Sequence, residues 1–163
     1  MKELTIKDNT CDVLVIGAGV SGVAAAVASA RCNVKTIPIE RENFPGGIGY
    51  SGLLQHICGL YLNSDEFPEE TLNAGLVREI VVRLQHLSPE RGIKKIGQVY
   101  VLPYNREDLK TVFDALCNET PHLRVLYNTS CVSVKNSSGK VTGVEINSSG
   151  EIRNISPGVL IDC

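Results

Sequence analysis

Several features are absent from this sequence, and each absence excludes a class of protein. The six cysteines include no C-x-x-C pair, which argues against a zinc ribbon or a thioredoxin-type dithiol, and we expect no metal site. There is no cluster of basic residues, and the formal net charge is −2, so we expect no nucleic-acid partner. No apolar run approaches the ~20 residues of a membrane helix, so we expect no membrane partner.

The first ten residues are polar and lack the apolar segment of a secretory signal. We therefore expect a cytoplasmic protein whose cysteines are reduced thiols. The chain has 163 residues, 43% of them hydrophobic and 21% charged. This length and composition favour a single globular domain.

The stretch from residue 11 to residue 40 carries the clearest pattern in the chain. An apolar run, VLVI, is followed by GAGVSG, an alanine-rich segment, a second apolar run and an acid, Glu40. The pattern predicts a buried strand over 11–16, a helix over 20–31 and a second strand over 34–39. Pro38 has no N–H to donate, so we expect it where the second strand leaves the sheet.

The three glycines of GAGVSG have separate roles in a strand–turn–helix unit that binds a dinucleotide. Gly17 allows the tight turn, Gly19 lets a pyrophosphate approach the backbone, and Gly22 lets the helix pack closely on the strand. The N–H groups at the start of the helix, at Val20 and Ser21, would hold the phosphates with the positive end of the helix dipole.

Glu40 completes this pattern because it stands at the end of the next strand. A carboxylate there accepts hydrogen bonds from both hydroxyls of a ribose. The alternative is a glycine-rich turn in an ordinary β-α-β unit that binds no nucleotide.

Residues 41–98 interrupt the alternation of strands and helices, and we interpret them as a loop-and-helix insertion. The part over 41–63 is rich in both glycine and apolar residues, which suggests backbone packed tightly against a flat group. The alternative is a buried loop that packs on its own domain. An amphipathic helix is predicted over 71–87.

The second half of the chain predicts a strand over 99–102, a helix after the N-cap Asn105 and a strand over 125–127. Three short strands follow over 131–135, 141–146 and 151–155, separated by the turns NSSGK and NSSG. A last buried strand is predicted over 159–163. The fold class is therefore α/β, a Rossmann-like parallel sheet with flanking helices and a three-stranded β-meander.

Taken together and in order, these segments resemble the N-terminal part of the glutathione-reductase-like FAD-dependent oxidoreductases. The resemblance rests on DVLVIGAGVSGVAAAVASAR, IERENFPGG, GYSGLLQHICGLY, VLPYNREDLKTVFDAL, VTGVEI and VLIDC. It implies that FAD is the cofactor and that its pyrophosphate lies at the three glycines of the turn. It also implies that Glu40 binds the adenosine ribose, that Arg41 lies along the adenine, and that Gly46 and Gly47 pass the flavin side of the cofactor. Val132 would lie near the adenine.

The sequence departs from the family's pattern at Cys163. In such enzymes a strand like VLID is followed by a Thr-Gly-Asp-Gly-like turn, whose acid binds the ribitol of the flavin, and then by a substrate domain. Here the chain stops before that turn. The resemblance therefore predicts a truncated FAD-binding domain over 1–163 without a substrate domain, a subunit completed by a second chain, or a homologue that has lost flavin.

Two side chains in the glycine-rich loop are candidate catalytic residues acting on a small-molecule substrate. His56 is a candidate general base, and Cys58 is a candidate redox or nucleophilic thiol. The alternatives are a hydrogen-bonded loop histidine and a small buried apolar residue. At the level of function, the alternative to the FAD portion of an oxidoreductase is an NAD- or adenine-nucleotide-binding protein related to thiazole synthases.

Overall fold

A computed structural model describes residues 9–53 and 55–163. The strands are β1 Thr10–Ile16, β2 Thr36–Ile39, β3 His56–Cys58, β4 Lys94–Ile96, β5 Val99–Pro103, β6 Thr129–Ser137, β7 Lys140–Ser148 and β8 Glu151–Asp162. The helices are α1 Val20–Ala30, α2 Ile48–Ser51, α3 Leu76–Leu87 and α4 Arg106–Glu119. The α/β class, the parallel strands and the meander predicted from the sequence are confirmed.

The main sheet has five strands in the order β2-β1-β8-β7-β6. Its parallel part consists of β2, β1 and the second half of β8, and its antiparallel part is the meander β6-β7-β8. The separate strands predicted over 151–155 and 159–163 are thus one continuous strand. Up to Ile155 it pairs with β7, and from Ser156 onward it pairs with β1.

Pro38 lies inside the sheet, in register with Val15 of β1, and the prediction that it leaves the sheet is wrong. Its carbonyl accepts a hydrogen bond from the N–H of Leu126, at 2.9 Å. The adjacent segment over 122–126 also bonds to Thr36 and Glu40 on either side of the proline. Because Pro38 has no N–H, one bond of this ladder is missing. The strand predicted over 125–127 therefore appears only as isolated parallel bridges at Leu123 and Leu126.

The two hairpins of the meander use the same four-residue turn. The sequence NSSG occurs at 136–139 and again at 147–150. In each copy the second serine and the glycine have positive φ, and the asparagine side chain accepts a hydrogen bond from the glycine N–H. This geometry matches the right-handed twist of the flanking strands, which explains why short polar turns suffice here.

Two apolar clusters hold the elements together. The first cluster joins α1, α3 and α4 to β5 of the small sheet through residues that include Val23, Leu84 and Phe113. The second cluster joins β1 and β2 to the meander through residues that include Leu14, Ile39 and Ile146. A small antiparallel sheet, β3-β5-β4, flanks the helical side. Among the described residues, no helix is both long and apolar enough to cross a bilayer.

Helix α3 begins later than the sequence predicts. The periodic apolar pattern suggested a helix from residue 71, but α3 starts at Leu76 after Gly75. Gly75 has a φ of 67° and is not helical. The apolar residues before Gly75 therefore belong to an irregular segment, since a positive φ breaks the helical ladder.

An ion network joins α1, α3 and α4. The two terminal guanidinium nitrogens of Arg31 donate to the carboxylate of Glu79, at 2.8 and 3.1 Å. Arg83 bridges Glu79 and Glu119, at 2.9 and 2.8 Å. The hydrogen bonds from Arg31 in particular hold the pKa of Glu79 below its ordinary value of 4.5.

This network predicts a pH-dependent contribution to stability. Because the folded state lowers the pKa of Glu79, the contribution is present above about pH 5 and is lost as the pH falls through the lowered value. For these partly exposed groups we expect about 1 kcal/mol. Urea unfolding at pH 7 and pH 3.5 should show a larger pH-dependent loss in the parent than in Glu79→Gln. Equal losses in the two proteins would contradict this assignment.

Candidate functional site

A cavity of about 760 Å³ opens at the carboxyl ends of β1 and β2. It is lined by the ends of these strands, the glycine turn after β1, residues 40–42, the loop that leads into α2, the first residues of β6 and Cys163. Ligands of parallel α/β sheets bind at this end of the strands. We call this space the large cavity.

The glycine turn shapes one wall of the large cavity. Gly17 has a φ of 88°, and a Cβ there would lie 2.8 Å from the carbonyl oxygen of Cys163. A Cβ on Gly22 would lie 2.0 Å from the carbonyl oxygen of Gly17, so α1 packs directly on the turn. Gly19 differs because a Cβ there would meet no described atom within 4 Å. Space is thus left open at the glycine that the sequence assigns to a pyrophosphate.

Helix α1 starts at this open space. Its N-cap is Gly19, no side chain caps it, and its first turn has no acidic residue. The first N–H groups of a helix have no partner within the helix. The N–H groups of Val20 and Ser21 therefore lie at an uncapped helix start beside the large cavity. An anion binds to such unpaired N–H groups.

The carboxylate of Glu40 is held against the turn. One oxygen accepts a hydrogen bond from the N–H of Ala18 at 2.7 Å, and the other accepts one from the N–H of Glu42 at 3.0 Å. The residue is only 7% exposed and lies in the wall of the large cavity. Each carboxylate oxygen retains a second acceptor site. The acid is therefore fixed in position and still able to accept hydrogen bonds from a ligand.

The PGG loop, residues 45–47, runs beside the glycine turn. The N–H of Gly46 donates to the carbonyl of Ala18 at 2.7 Å, and Gly46 forms a parallel bridge with Gly19. A Cβ on Gly47 would lie 3.1 Å from the Cα of Gly19. Both glycines are thus placed beside the turn itself, and Gly47 also lines the large cavity.

Further residues of the wall come from outside the motif. Arg41 lines the large cavity with a mostly exposed side chain, 3.6 Å from the carboxylate of Glu42. Thr129, Ser130 and Cys131 at the start of β6 line it as well. Sequence reasoning missed these three. The available signal was their position directly after a predicted parallel strand, where polar groups reach the carboxyl edge of the sheet.

Val132, assigned near the adenine by resemblance, lies just beyond that wall. The register of β6 against β7 shifts between Cys131 and Ser133, which leaves Val132 unpaired in a bulge. Its side chain is 51% exposed. Its neighbour Cys131 is the residue that lines the large cavity, and burial raises the pKa of this thiol, with Asp162 adding to the effect.

His56 and Cys58 lie in the wall of a different cavity, of about 330 Å³. They belong to β3, and Val20 lines this second cavity too. The structure does not bring the two candidate catalytic residues into the wall of the large cavity. It does bring together Gly17, Gly19, Glu40, Arg41 and Gly47.

The contacts of Glu40 predict the effect of a neutral replacement. In Glu40→Gln one oxygen becomes an amide nitrogen that faces a backbone N–H, so one buried hydrogen bond is lost. We expect the free energy of unfolding to fall by about 1–3 kcal/mol. Urea unfolding measures this, and Glu42→Gln is the matched control because its side chain is half exposed. Identical midpoints for both variants and the parent would contradict the assigned contacts.

Comparison with known proteins places this geometry in a family context. A family model described as FAD dependent oxidoreductase matches residues 12–163. Among curated proteins, the thiamine thiazole synthase of Metallosphaera sedula is 41% identical over 75 residues, covering 45% of this chain and 24% of that protein. The thiamine thiazole synthase of Saccharolobus islandicus is 36% identical over 83 residues, covering 50% and 27%. The chain spans about a quarter of the length of these relatives.

Solved structures share the fold. The THI4 protein of Thermovibrio ammonificans aligns over 95% of this chain and 57% of its own, with a TM-score of 0.65 and 17% identity. The anhydrotetracycline hydroxylase OxyS of Streptomyces rimosus aligns over 94% and 31%, with a TM-score of 0.64 and 15% identity. At these identities the likeness concerns the fold alone.

Proposed function

This chain belongs to the FAD dependent oxidoreductase family, and from that premise we propose that it is the FAD-binding portion of a flavin-dependent oxidoreductase. FAD is the cofactor that the family assigns to it. One observation carries the proposal: the large cavity joins an open, uncapped helix start at Gly19 to a fixed carboxylate at Glu40. These are the two groups that a diphosphate and a ribose require.

Different residues of the large cavity bind different parts of the cofactor. The backbone at Gly17 and Gly19 and the first N–H groups of α1 hold the pyrophosphate. Glu40 accepts the ribose hydroxyls, and Arg41 lies beside the adenine. When bound, FAD supplies hydride and electron transfer. The chain's own contribution is to bind and orient it.

Gly46 and Gly47 support the turn as well as facing the cofactor. Their contacts with Ala18 and Gly19 hold the loop close to the pyrophosphate site. Helix α2, which follows, begins with an apolar side chain at the rim of the large cavity, Ile48, which is 83% exposed. We propose that this apolar rim faces the flavin end of the cofactor.

We further propose that another polypeptide strand joins the sheet beside β8. From Ser156 onward β8 has β1 on one side, and no described strand pairs with its other side. Val159 on this part is 56% exposed. An open edge with an uncovered apolar residue favours addition of a strand, from a second chain or from further sequence of the same protein.

A reducing, cytoplasmic location is consistent with six free thiols.

A second candidate is an adenine-nucleotide protein of the thiazole synthase type. It is favoured by the 41% identity over 75 residues with a thiamine thiazole synthase. Both candidates use the glycine turn and Glu40, so they differ in the ligand and not in this part of the site.

The released ligand distinguishes the two. The purified chain is denatured, and the supernatant is examined for flavin absorbance and by mass spectrometry. FAD at close to one equivalent supports the main proposal. An adenine nucleotide without flavin supports the second candidate. A chain that releases neither, and that binds neither FAD nor an adenine nucleotide when these are added, contradicts both.

A further inference from the structure

The segment from Glu40 to Gly46 forms a loop that is closed on one buried residue, Ala18. The N–H of Ala18 donates to the carboxylate of Glu40 at 2.7 Å, and its carbonyl accepts from the N–H of Gly46, also at 2.7 Å. Ala18 itself is fully buried. The N–H of Asn128 donates to the carbonyl of Glu42 at 3.1 Å and so holds the middle of the loop. The loop is therefore fixed at both ends and near its centre, beside the large cavity.

Phe44 is the aromatic residue of this loop, and it lies in the wall of the large cavity. It is half-buried, and neither apolar cluster of the described residues includes it. The other two phenylalanines of the chain differ from it. Phe113 is buried in the first cluster, and Phe67 is 62% exposed and does not line the large cavity. Packing of the core therefore does not account for an aromatic ring at position 44.

The ring of Phe44 is supported from α2. Its centroid lies 4.6 Å from the centroid of the Tyr50 ring, and the two planes are tilted by 57°. The hydroxyl of Tyr50 donates to the carboxylate of Glu107 at the start of α4, at 3.2 Å. The guanidinium of Arg106 lies 5.7 Å from the centre of the Tyr50 ring. The ring in the cavity wall thus rests on a second ring, which contacts with α4 hold in place.

Glu40 and Phe44 stand on the same loop, and both line the large cavity. We propose that the adenine base of a bound nucleotide stacks on the ring of Phe44, and that Tyr50 is a positioning residue that holds this ring. The inference rests on the proposed nucleotide site, in which Glu40 accepts the ribose hydroxyls and thereby places the base next to this loop. Bases stack on aromatic side chains because both present a flat π-face. Both candidate ligands contain adenosine, so the assignment applies to either.

The first test titrates the full chain, freed of ligand, with ADP, which contains adenosine but no flavin. Phe44→Leu removes the ring, Phe44→Tyr keeps it, and Phe67→Leu is the matched control. We expect ADP to bind about tenfold more weakly to Phe44→Leu, and within about twofold of the parent to the other two variants. Equal affinities of Phe44→Leu and Phe67→Leu overturn the proposal.

Proton NMR on the parent tests the contact without a substitution. In the complex with ADP, nuclear Overhauser effects are expected between H2 or H8 of the adenine and the ring protons of Phe44. Their absence from a saturated complex overturns the proposal. FAD is titrated into the same samples. A parent that binds neither ADP nor FAD overturns the nucleotide site together with this assignment, whereas a parent that binds both without the contact to Phe44 overturns this assignment alone.

The second test concerns Tyr50. Because Tyr50 acts through Phe44, its replacement should weaken ADP binding only while the ring of Phe44 is present. We expect Tyr50→Leu to weaken binding about threefold in the parent and to have no effect in the Phe44→Leu background. A purely structural role would give the same factor in both backgrounds, and that result overturns the positioning role. Thermal unfolding of each variant checks that it is folded during the titration.

Discussion

The Gly19→Ala variant is expected to fold with the stability of the parent and to lose roughly 100-fold in affinity for FAD. The backbone of Gly19, with φ −64° and ψ −172°, is in a region that alanine also adopts. The added methyl group meets no described atom within 4 Å, so the fold has no reason to change. The same methyl group would occupy the space where a diphosphate must approach the N–H groups of α1.

Gly92→Ala is the control for this experiment. Gly92 is also open around its Cβ position, and it does not line the large cavity. Affinity is measured by titrating apo-protein with FAD, and stability by thermal unfolding. If Gly19→Ala binds FAD as tightly as Gly92→Ala does, the pyrophosphate does not lie at this turn.

The Gly22→Ala variant is expected to lose about 3 kcal/mol or more of unfolding free energy. Helix propensity alone would favour alanine here by about 1 kcal/mol. Steric contact makes the substitution destabilising despite this preference, because the new Cβ would lie 2.0 Å from the carbonyl oxygen of Gly17 and 3.5 Å from the Cβ of Cys163. The oxygen belongs to backbone and cannot rotate away, so α1 must move off β1.

Urea unfolding measures the effect of Gly22→Ala, and Gly19→Ala serves as its control within the same turn. The two substitutions are chemically identical and three residues apart, yet one should impair folding and the other ligand binding. A Gly22→Ala variant as stable as the parent would show that α1 does not pack on the turn as described.

Local patterns were readable from the sequence because local physics determines them. The strand, turn and helix around Gly17 follow from apolar periodicity and glycine placement, and the bounds of β1 and α1 agree with the prediction to within one residue. The N-cap at Asn105 was equally local, since its side chain accepts from the N–H of Glu107, two residues on. In each case the interacting groups are neighbours in the chain.

Pairing between distant segments was not readable. Nothing near Pro38 indicates that its missing N–H falls in a ladder with residues 122–126, far along the chain. The union of two predicted strands into β8 depends likewise on β1 and β7 both being present. Pro157 and Gly158 lie between the two predicted strands, and pairing with β1 keeps this part of β8 extended.

The candidate site shows the same contrast between local patterns, which could be predicted, and long-range pairing, which could not. The motif placed Gly19 and Glu40 at the large cavity, because strand ends in a parallel sheet meet at one edge. His56 and Cys58 were expected near the cofactor from their presence in an apolar loop. The pairing of β3 with β5 places this segment in the wall of the second cavity and not of the large cavity, and a long-range pairing of this kind leaves no mark in the local sequence.

The double pairing of β8 has a consequence for insertions in this chain. Side chains alternate between faces along a strand, so inserting one residue between Ile155 and Ser156 would turn every later side chain to the opposite face. The meander and the parallel sheet would then be out of phase with each other. An insertion at the turn of either NSSG hairpin would leave this register intact, whereas an insertion within β8 would not.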